Sequence, residues 1–161
     1  MIKRVLQYLS HTLLILLFSN LAHAQVGEWT WKGGSTSANQ TGVYGTKGVP
    51  DTSNHPGARL DHVMWTGGDG NVWAFGGSGY GTSGLGLLND LWKFDVDTEE
   101  WTWMKGSNNP GGTAVYGTQG QPDSLNTPGA TYRTTAWTDS AGSLWMFGGS
   151  NGSAHNEMWK Y

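Results

Sequence analysis

Few side chains in this sequence are of types that do chemistry. His55, Asp61, His62 and His155 are the only candidates for a metal site. A bound metal needs several such donors converging on one point. A structural His is the stronger expectation here, so no metal and no cofactor is assigned. The carboxylates of "DVDTEE", Asp95 to Glu100, suggest calcium superficially. An EF-hand loop requires a longer run with a glycine at its sixth position, which this stretch lacks. "GGSGYG", beginning at Gly76, is glycine-rich but joins two strand-like segments and opens no helix, so it is not a phosphate cradle. No paired carboxylates and no Ser–His–Asp arrangement are discernible. No catalytic residue is expected, and the chain leans away from being an enzyme.

Recognition remains. Tyr44, Tyr80 and Tyr116, with amides such as Asn39, Gln40, Asn54 and Asn126, place aromatic rings beside hydrogen-bonding groups. That combination suits a sugar or a peptide. Tyr44, Tyr80, Tyr116, Asn54 and Asn126 are therefore the candidate ligand contacts. Tyr44 and Tyr116 also recur in the same "VYGT" setting, which is how a packing residue behaves. Pinning a loop to the sheet beneath it is the stronger expectation for that pair.

The bulk numbers limit the partners. Residues 1–24 carry a basic start (Lys3, Arg4), a short apolar run and "AHA" at 22–24, the pattern of a secretory signal peptide cleaved after Ala24. The apolar run is well short of the ~20 residues of a spanning helix. Export to the periplasm, cell surface or medium is expected, with no membrane span. Without Lys3 and Arg4, seven of the 9 basic residues remain against 12 acidic ones, so nucleic acid is an unsuitable partner. Cysteine is absent, which excludes disulfides and thiolate chemistry. Stability must come from packing, and 10 tryptophans set between 26 glycines point to short strands and many turns.

The elements that position these residues emerge from an internal repeat. "EWTWKGGSTSANQTGVYGTKGVPDTSNHPGA" from Glu28 lies over "EWTWMKGSNNPGGTAVYGTQGQPDSLNTPGA" from Glu100 at a constant step of 72. Trp29 falls on Trp101, Tyr44 on Tyr116, Trp65 on Trp137, Trp73 on Trp145 and Phe75 on Phe147. After Ser78 and Ser150 the second copy is shorter, since Trp92 to Trp159 is a step of 67. The shortened Gly/Ser-rich segment, 76–88 in the first copy, is expected to be a loop. Each copy reads as strands: 59–66, 71–77, 89–96 and 100–105 in the first, with Trp29 and its neighbours as a lone fourth strand at 29–32. No helical periodicity follows Gln25. The fold class is all-β.

The pattern Arg59-x-x-His62, Trp73-x-Phe75-Gly-Gly, "NDLWKFD" and Thr98-x-x-Trp101 resembles the Kelch repeat. Kelch repeats are the blades of Kelch-type β-propellers and of the galactose oxidase-like superfamily. The resemblance implies a partial propeller of about two four-stranded blades, with recurrent Trp residues between blades and a capping turn at Asp95 to Thr98. It organises the chain as a closing strand and long loop (25–58), a blade (59–105), a second long loop (106–130) and an incomplete blade (131–161). The repeat is longer than the ~50 residues of a Kelch unit, the excess lying in the two long loops. Thr131 stands where the first copy has Arg59, and Thr134 where it has His62. The copper–radical chemistry of galactose oxidase needs a Tyr–Cys crosslink and is impossible without cysteine.

The strand phase implies one more expectation. A chain that opens on a fourth strand and closes on a third is phased for propeller closure but supplies too few blades for a ring of ~4–8. It reads first as the N-terminal part of a longer exported propeller that binds a protein or glycan ligand. Three alternatives stand beside that: part of a carbohydrate-active enzyme with its active site in further blades, an adhesive array, or a two-blade protomer of an oligomeric lectin.

Overall fold

The computed structural model describes residues 27–161; the expected signal peptide and its cleavage point lie outside these residues. The described residues divide into two units, 27–33 and 34–161. In the first, residues 27–33 form no strand, and Trp29 and Trp31 are exposed at 102% and 70%. The strand expected at 29–32 is therefore absent. The physical reason is pairing: an extended segment becomes a strand only against another edge, and alone it satisfies its backbone with water.

The second unit is all-β, with two antiparallel sheets and no helix among the described residues. The first sheet holds β1 (Arg59–Leu60), β2 (Val63–Thr66), β3 (Val72–Gly81), β4 (Gly84–Asp95) and β5 (Glu100–Lys105). The second holds β6 (Thr135–Thr138), β7 (Leu144–Phe147) and β8 (Met158–Lys160), in that order. β1 and β2 pair with the same edge of β3, so the strand expected at 59–66 exists but is broken. Asp61 breaks it at φ 53°, a left-handed conformation that no ladder position accepts. Its counterpart one repeat later, Arg133, has φ 57°. The two breaks meet: the Arg133 amide donates to the Asp61 carbonyl at 2.9 Å, and Arg133 Nε to Asp61 Oδ2 at 2.9 Å.

The segment 76–88 corrects a second expectation. It is mostly ladder, running from Gly77 opposite Leu88 to Gly81 opposite Gly84, with a bulge after Phe75. Only Thr82 and Ser83 turn the chain. Glycine is required at Gly76, with φ 63°, because a Cβ there would lie 2.8 Å from the Thr131 carbonyl. That crowding lets the second sheet's approach strand reach the bulge, where the Gly77 amide donates to Thr131 at 2.8 Å. The β4–β5 turn is capped as the repeat pattern implied: Asp95 Oδ1 accepts from the amides of Asp97 (3.0 Å) and Thr98 (2.9 Å).

Side-chain alternation assigns the two faces of the first sheet. One face presents Val63, Trp65, Trp73, Phe75 and Leu91 to Leu144 and Met146 of the second sheet, forming the main core. Large side chains of this kind each contribute roughly 1.5–3 kcal/mol when buried. The sheets are also stitched by polar contacts. Trp65 Nε1 donates to the Trp145 carbonyl at 2.8 Å, and Thr138 Oγ1 to the Thr66 carbonyl at 2.9 Å. The opposite face carries Ala74 and Trp92, flanked by Trp101 and Trp103 and closed by Tyr44.

Beneath Tyr44 lies a fully buried carboxylate. Asp90 accepts from Arg59 Nη1 at 2.8 Å, Arg59 Nη2 at 2.7 Å, the Tyr44 hydroxyl at 2.7 Å and Trp92 Nε1 at 2.7 Å. Arg59 also donates to the carbonyls of Gly57 and Gly76. The cluster thus ties the 33–58 loop, β1, β3 and β4 together. Removing one member of such a pair strands the other charge, which typically costs about 3–5 kcal/mol. Asp90→Ala is expected to lower unfolding free energy by about that much, whereas Tyr44→Phe costs only about 1–2 kcal/mol. Urea denaturation checks both, and a loss below about 1 kcal/mol for Asp90→Ala contradicts the assignment.

Candidate binding groove

The long loops 33–58 and 106–130 fold alike, because each supplies its own turn chemistry. The bridge Val43–His55 recurs as Val115–Thr127. The bond from the Val49 amide to the Thr46 carbonyl recurs as Gln121 to Thr118, and Asn54 to Asp51 as Asn126 to Asp123. What differs is what each loop covers.

The first loop lies on β5. Gly48 donates its amide to the Trp103 carbonyl at 2.8 Å, Asn54 Nδ2 donates to the Trp101 carbonyl at 3.1 Å, and Asp51 bridges to Trp101. Lys47 Nζ sits 4.2 Å from the centroid of the Trp103 ring. Tyr44 packs on Trp92 (4.9 Å between centroids) and edge-on to Trp103 (5.2 Å). Burial and the neighbouring Asp90 carboxylate push its phenol well above the ordinary range.

The second loop lies against β8, and beyond β8 the sheet has no fourth strand among the described residues. A groove of about 1300 Å³ opens there. One wall is the loop, with Tyr116, Gln121 and Asn126; the floor and far wall are Leu91, Leu144, Trp159 and Tyr161. Tyr116 packs at a tilt on Trp159, 5.4 Å between centroids, as Tyr44 does on Trp92, and its hydroxyl donates to Glu157 Oε1 at 2.6 Å. Glu157 takes the place of Asp90, with His155 Nδ1 3.3 Å away in place of the missing arginine. Yet Tyr116 is 55% exposed where Tyr44 is 4%. The hydrogen bond from Tyr116 holds the Glu157 carboxyl below its usual range, and the same bond raises the Tyr116 phenol. Lys105 Nζ donates to the Asn126 carbonyl at 3.0 Å and fixes the loop's end to the first sheet.

Of the five residues expected to contact ligand, Tyr116 and Asn126 line this groove. Tyr44 and Asn54 are buried in the equivalent loop, the Tyr44 hydroxyl donating to Asp90 and Asn54 Nδ2 to the carbonyls of Val49 and Trp101, while Asn54 Oδ1 has no partner. Tyr80 sits in the β3 extension, where its backbone pairs with Gly42 and Ala58. Glu157, Trp159 and Tyr161 escaped the sequence reading, although laying "NEMWKY" on "NDLWKF" puts Glu157 on Asp90. His62 is half-buried with Nδ1 unpartnered, and burial lowers its pKa. Among the described residues no group of His, Asp and Glu side chains is arranged to hold a metal ion, and no helix is long and apolar enough to cross a membrane.

The Tyr116–Glu157 bond is directly testable. With the carboxylate as its acceptor, the Tyr116 phenol is raised from its ordinary value. Glu157→Gln removes the charge, so the phenol's pKa is expected to fall back toward the ordinary value. Ultraviolet difference titration of wild type, Glu157→Gln and Tyr116→Phe identifies that transition, and no change in Glu157→Gln contradicts the bond. No protein-family profile and no curated protein matches the chain.

Proposed function

We propose that the chain is an exported, non-catalytic binding module built from Kelch-type propeller blades, and that it binds a protein partner through an extended segment laid in the groove beside β8. The two sheets pack face to face through recurrent indoles, and the repeat places their strands in equivalent order, which supports the propeller reading. The single observation that carries the binding reading is the contrast between two equivalent places. Beside β4, the loop and the sheet edge enclose a Trp-x-Trp strand, Trp101 and Trp103. Beside β8, the same loop and the same kind of edge enclose a groove.

A strand added there gains main-chain hydrogen bonds from the edge and side-chain pockets from the aromatics, the mode known as strand addition. A glycan is the second reading, favoured by the exposed Tyr116 ring beside the amides of Gln119, Gln121 and Asn126. Isothermal titration of the mature chain separates them. A capped peptide with the sequence of residues 100–105, Glu-Trp-Thr-Trp-Met-Lys, is expected to bind, and Tyr116→Ala to weaken it by ~tenfold or more. Failure of the peptide together with binding of a neutral oligosaccharide panel overturns the strand reading in favour of the glycan.

A further inference from the structure

A second opening lies where the two long loops meet at the end of β5. It is a cleft of about 710 Å³, and every residue lining it falls between Lys47 and Thr127. That volume is within the ~300–1,000 Å³ range of small-ligand sites. Lys47 reaches it from the first loop, Lys105 from the end of β5, and Ser107, Thr113, Ser124 and Leu125 from the second loop. No carboxylate is among the lining residues.

Its charges set it apart from the rest of the surface. Arg59, Lys93, Arg133 and Lys160 pair with Asp90, Asp69, Asp61 and Asp139 in turn. Among the described residues Lys47 and Lys105 have no such partner. Lys47 Nζ donates to the Gly106 carbonyl at 2.9 Å and lies over the Trp103 ring. Lys105 Nζ donates to the Asn126 carbonyl at 3.0 Å. A carbonyl does not neutralise an ammonium, and each of these bonds uses one of three N–H donors. Asp123, the residue before Ser124, turns its Oδ1 to the Leu125 amide at 2.8 Å. The chain carries 12 acidic against 9 basic side chains, so two uncompensated cations in one cleft run against its overall charge.

The walls are fixed by their own bonds. Asn89, only 2% exposed, accepts from the Ser107 amide at 3.0 Å and donates from Nδ2 to the Pro128 carbonyl at 3.1 Å. It thereby grips both ends of the second loop. The Gly111 amide donates to the Leu87 carbonyl and the Ala130 amide to the Gly112 carbonyl, each at 2.8 Å. A site held in this way loses less ordering entropy when a ligand enters.

We propose that this cleft binds a small hydroxylated anion, a sugar acid or a sugar sulfate. The two ammoniums receive the acidic group through charge-assisted hydrogen bonds. Ser107, Thr113 and Ser124 match the ligand's hydroxyls, and Met104 and Leu125 supply apolar surface for its carbon face. Lysine is a point charge without arginine's fork, so carboxylate and sulfate are both served. The site stands apart from the strand reading of the groove beside β8. Lys105 borders both openings, whereas Lys47 lines the cleft and not the groove.

Amide chemical shifts of the chain, followed against glucuronate, glucose 6-sulfate and uncharged glucose at low ionic strength, test the proposal. At least one anion is expected to move the amides of Ser107, Gly112 and Thr113, with glucose binding ~tenfold more weakly or worse. Whichever anion binds identifies the acidic group. Lys47→Gln and Lys105→Gln retain an N–H donor but lose the charge, and each is expected to weaken binding ~tenfold. Lys47→Arg keeps the charge and is expected to stay within ~threefold of wild type. Added salt is expected to weaken binding through screening. Shifts with neither anion, equal binding of glucose, or anion binding untouched in Lys47→Gln overturns the proposal. Lys47→Gln is expected to leave binding of the 100–105 peptide unchanged, so the two openings report separately.

Discussion

The second unit depends on a carboxylate placed two residues before a tryptophan on the inner side of a sheet. Asp90 is fully buried, and a buried carboxylate is tolerated only with donors on its lone pairs. That demand recruits Arg59 from β1, Tyr44 from the long loop and the Trp92 indole. Each recruit carries its own segment into place. The loop that Tyr44 anchors then covers β5 and supplies Gly48 and Asn54 to its carbonyls. Without the carboxylate, a long loop with little regular structure has weak reason to lie on the sheet at all.

The second sheet shows the same demand met differently. Thr131 replaces Arg59 and instead donates from Oγ1 to the Ser150 carbonyl, so no guanidinium is at hand. Glu157 is one methylene longer than Asp90, and its carboxyl reaches outward to Tyr116 and His155. The anchor moves from the interior to the rim of a groove. An ion pair in the interior resists solvent and salt, whereas polar contacts at an exposed rim are weakened by solvent and contribute little. The second loop is held to the first sheet at both ends, by Gly111 to Leu87 and by Asn89 and Lys105 to the carbonyls of Pro128 and Asn126, while on its own sheet Tyr116 anchors it at an exposed rim.

Much of this was legible in the repeat. A step of 72 aligned the strands, and the structure repeats bonds at that step, including one directly between the repeats from Thr138 to Thr66. Three features were not legible. The break at Asp61 needs a left-handed backbone that no side-chain pattern announces. The β3–β4 extension hides in glycines, Gly76, Gly77, Gly79 and Gly81, whose composition reads as loop although their ladder partners are present. The strand at 29–32 fails because the partner edge, not the sequence, makes a strand. The site residues divide for the same reason. Tyr44 and Tyr116 share "VYGT", and Asn54 and Asn126 share a position in equivalent turns, so local sequence cannot tell which pair is buried. A distant strand, β5, decides it.

Equivalent sequence with unequal cover also bears on how readily the groove would accept the strand proposed for it. Binding a segment usually costs ordering entropy on both sides, and a loop that must first fold lowers affinity. The second loop is already in the shape of the first. Its bridge Val115–Thr127, its Asp123 turn capping Leu125 at 2.8 Å, and its Asn126 to Gln121 bond form with no strand beneath them. Tyr116 is likewise held upright, its ring against Trp159 and its hydroxyl on Glu157. On the proposed reading the receptor side would need little rearrangement, and the ordering term would fall mainly on the incoming segment. A strand with two indoles offsets that term better than a polar one, since its apolar area leaves water where the walls already exist. Under the proposed function, local turn chemistry in the loop, rather than the edge of β8 by itself, would make the place selective.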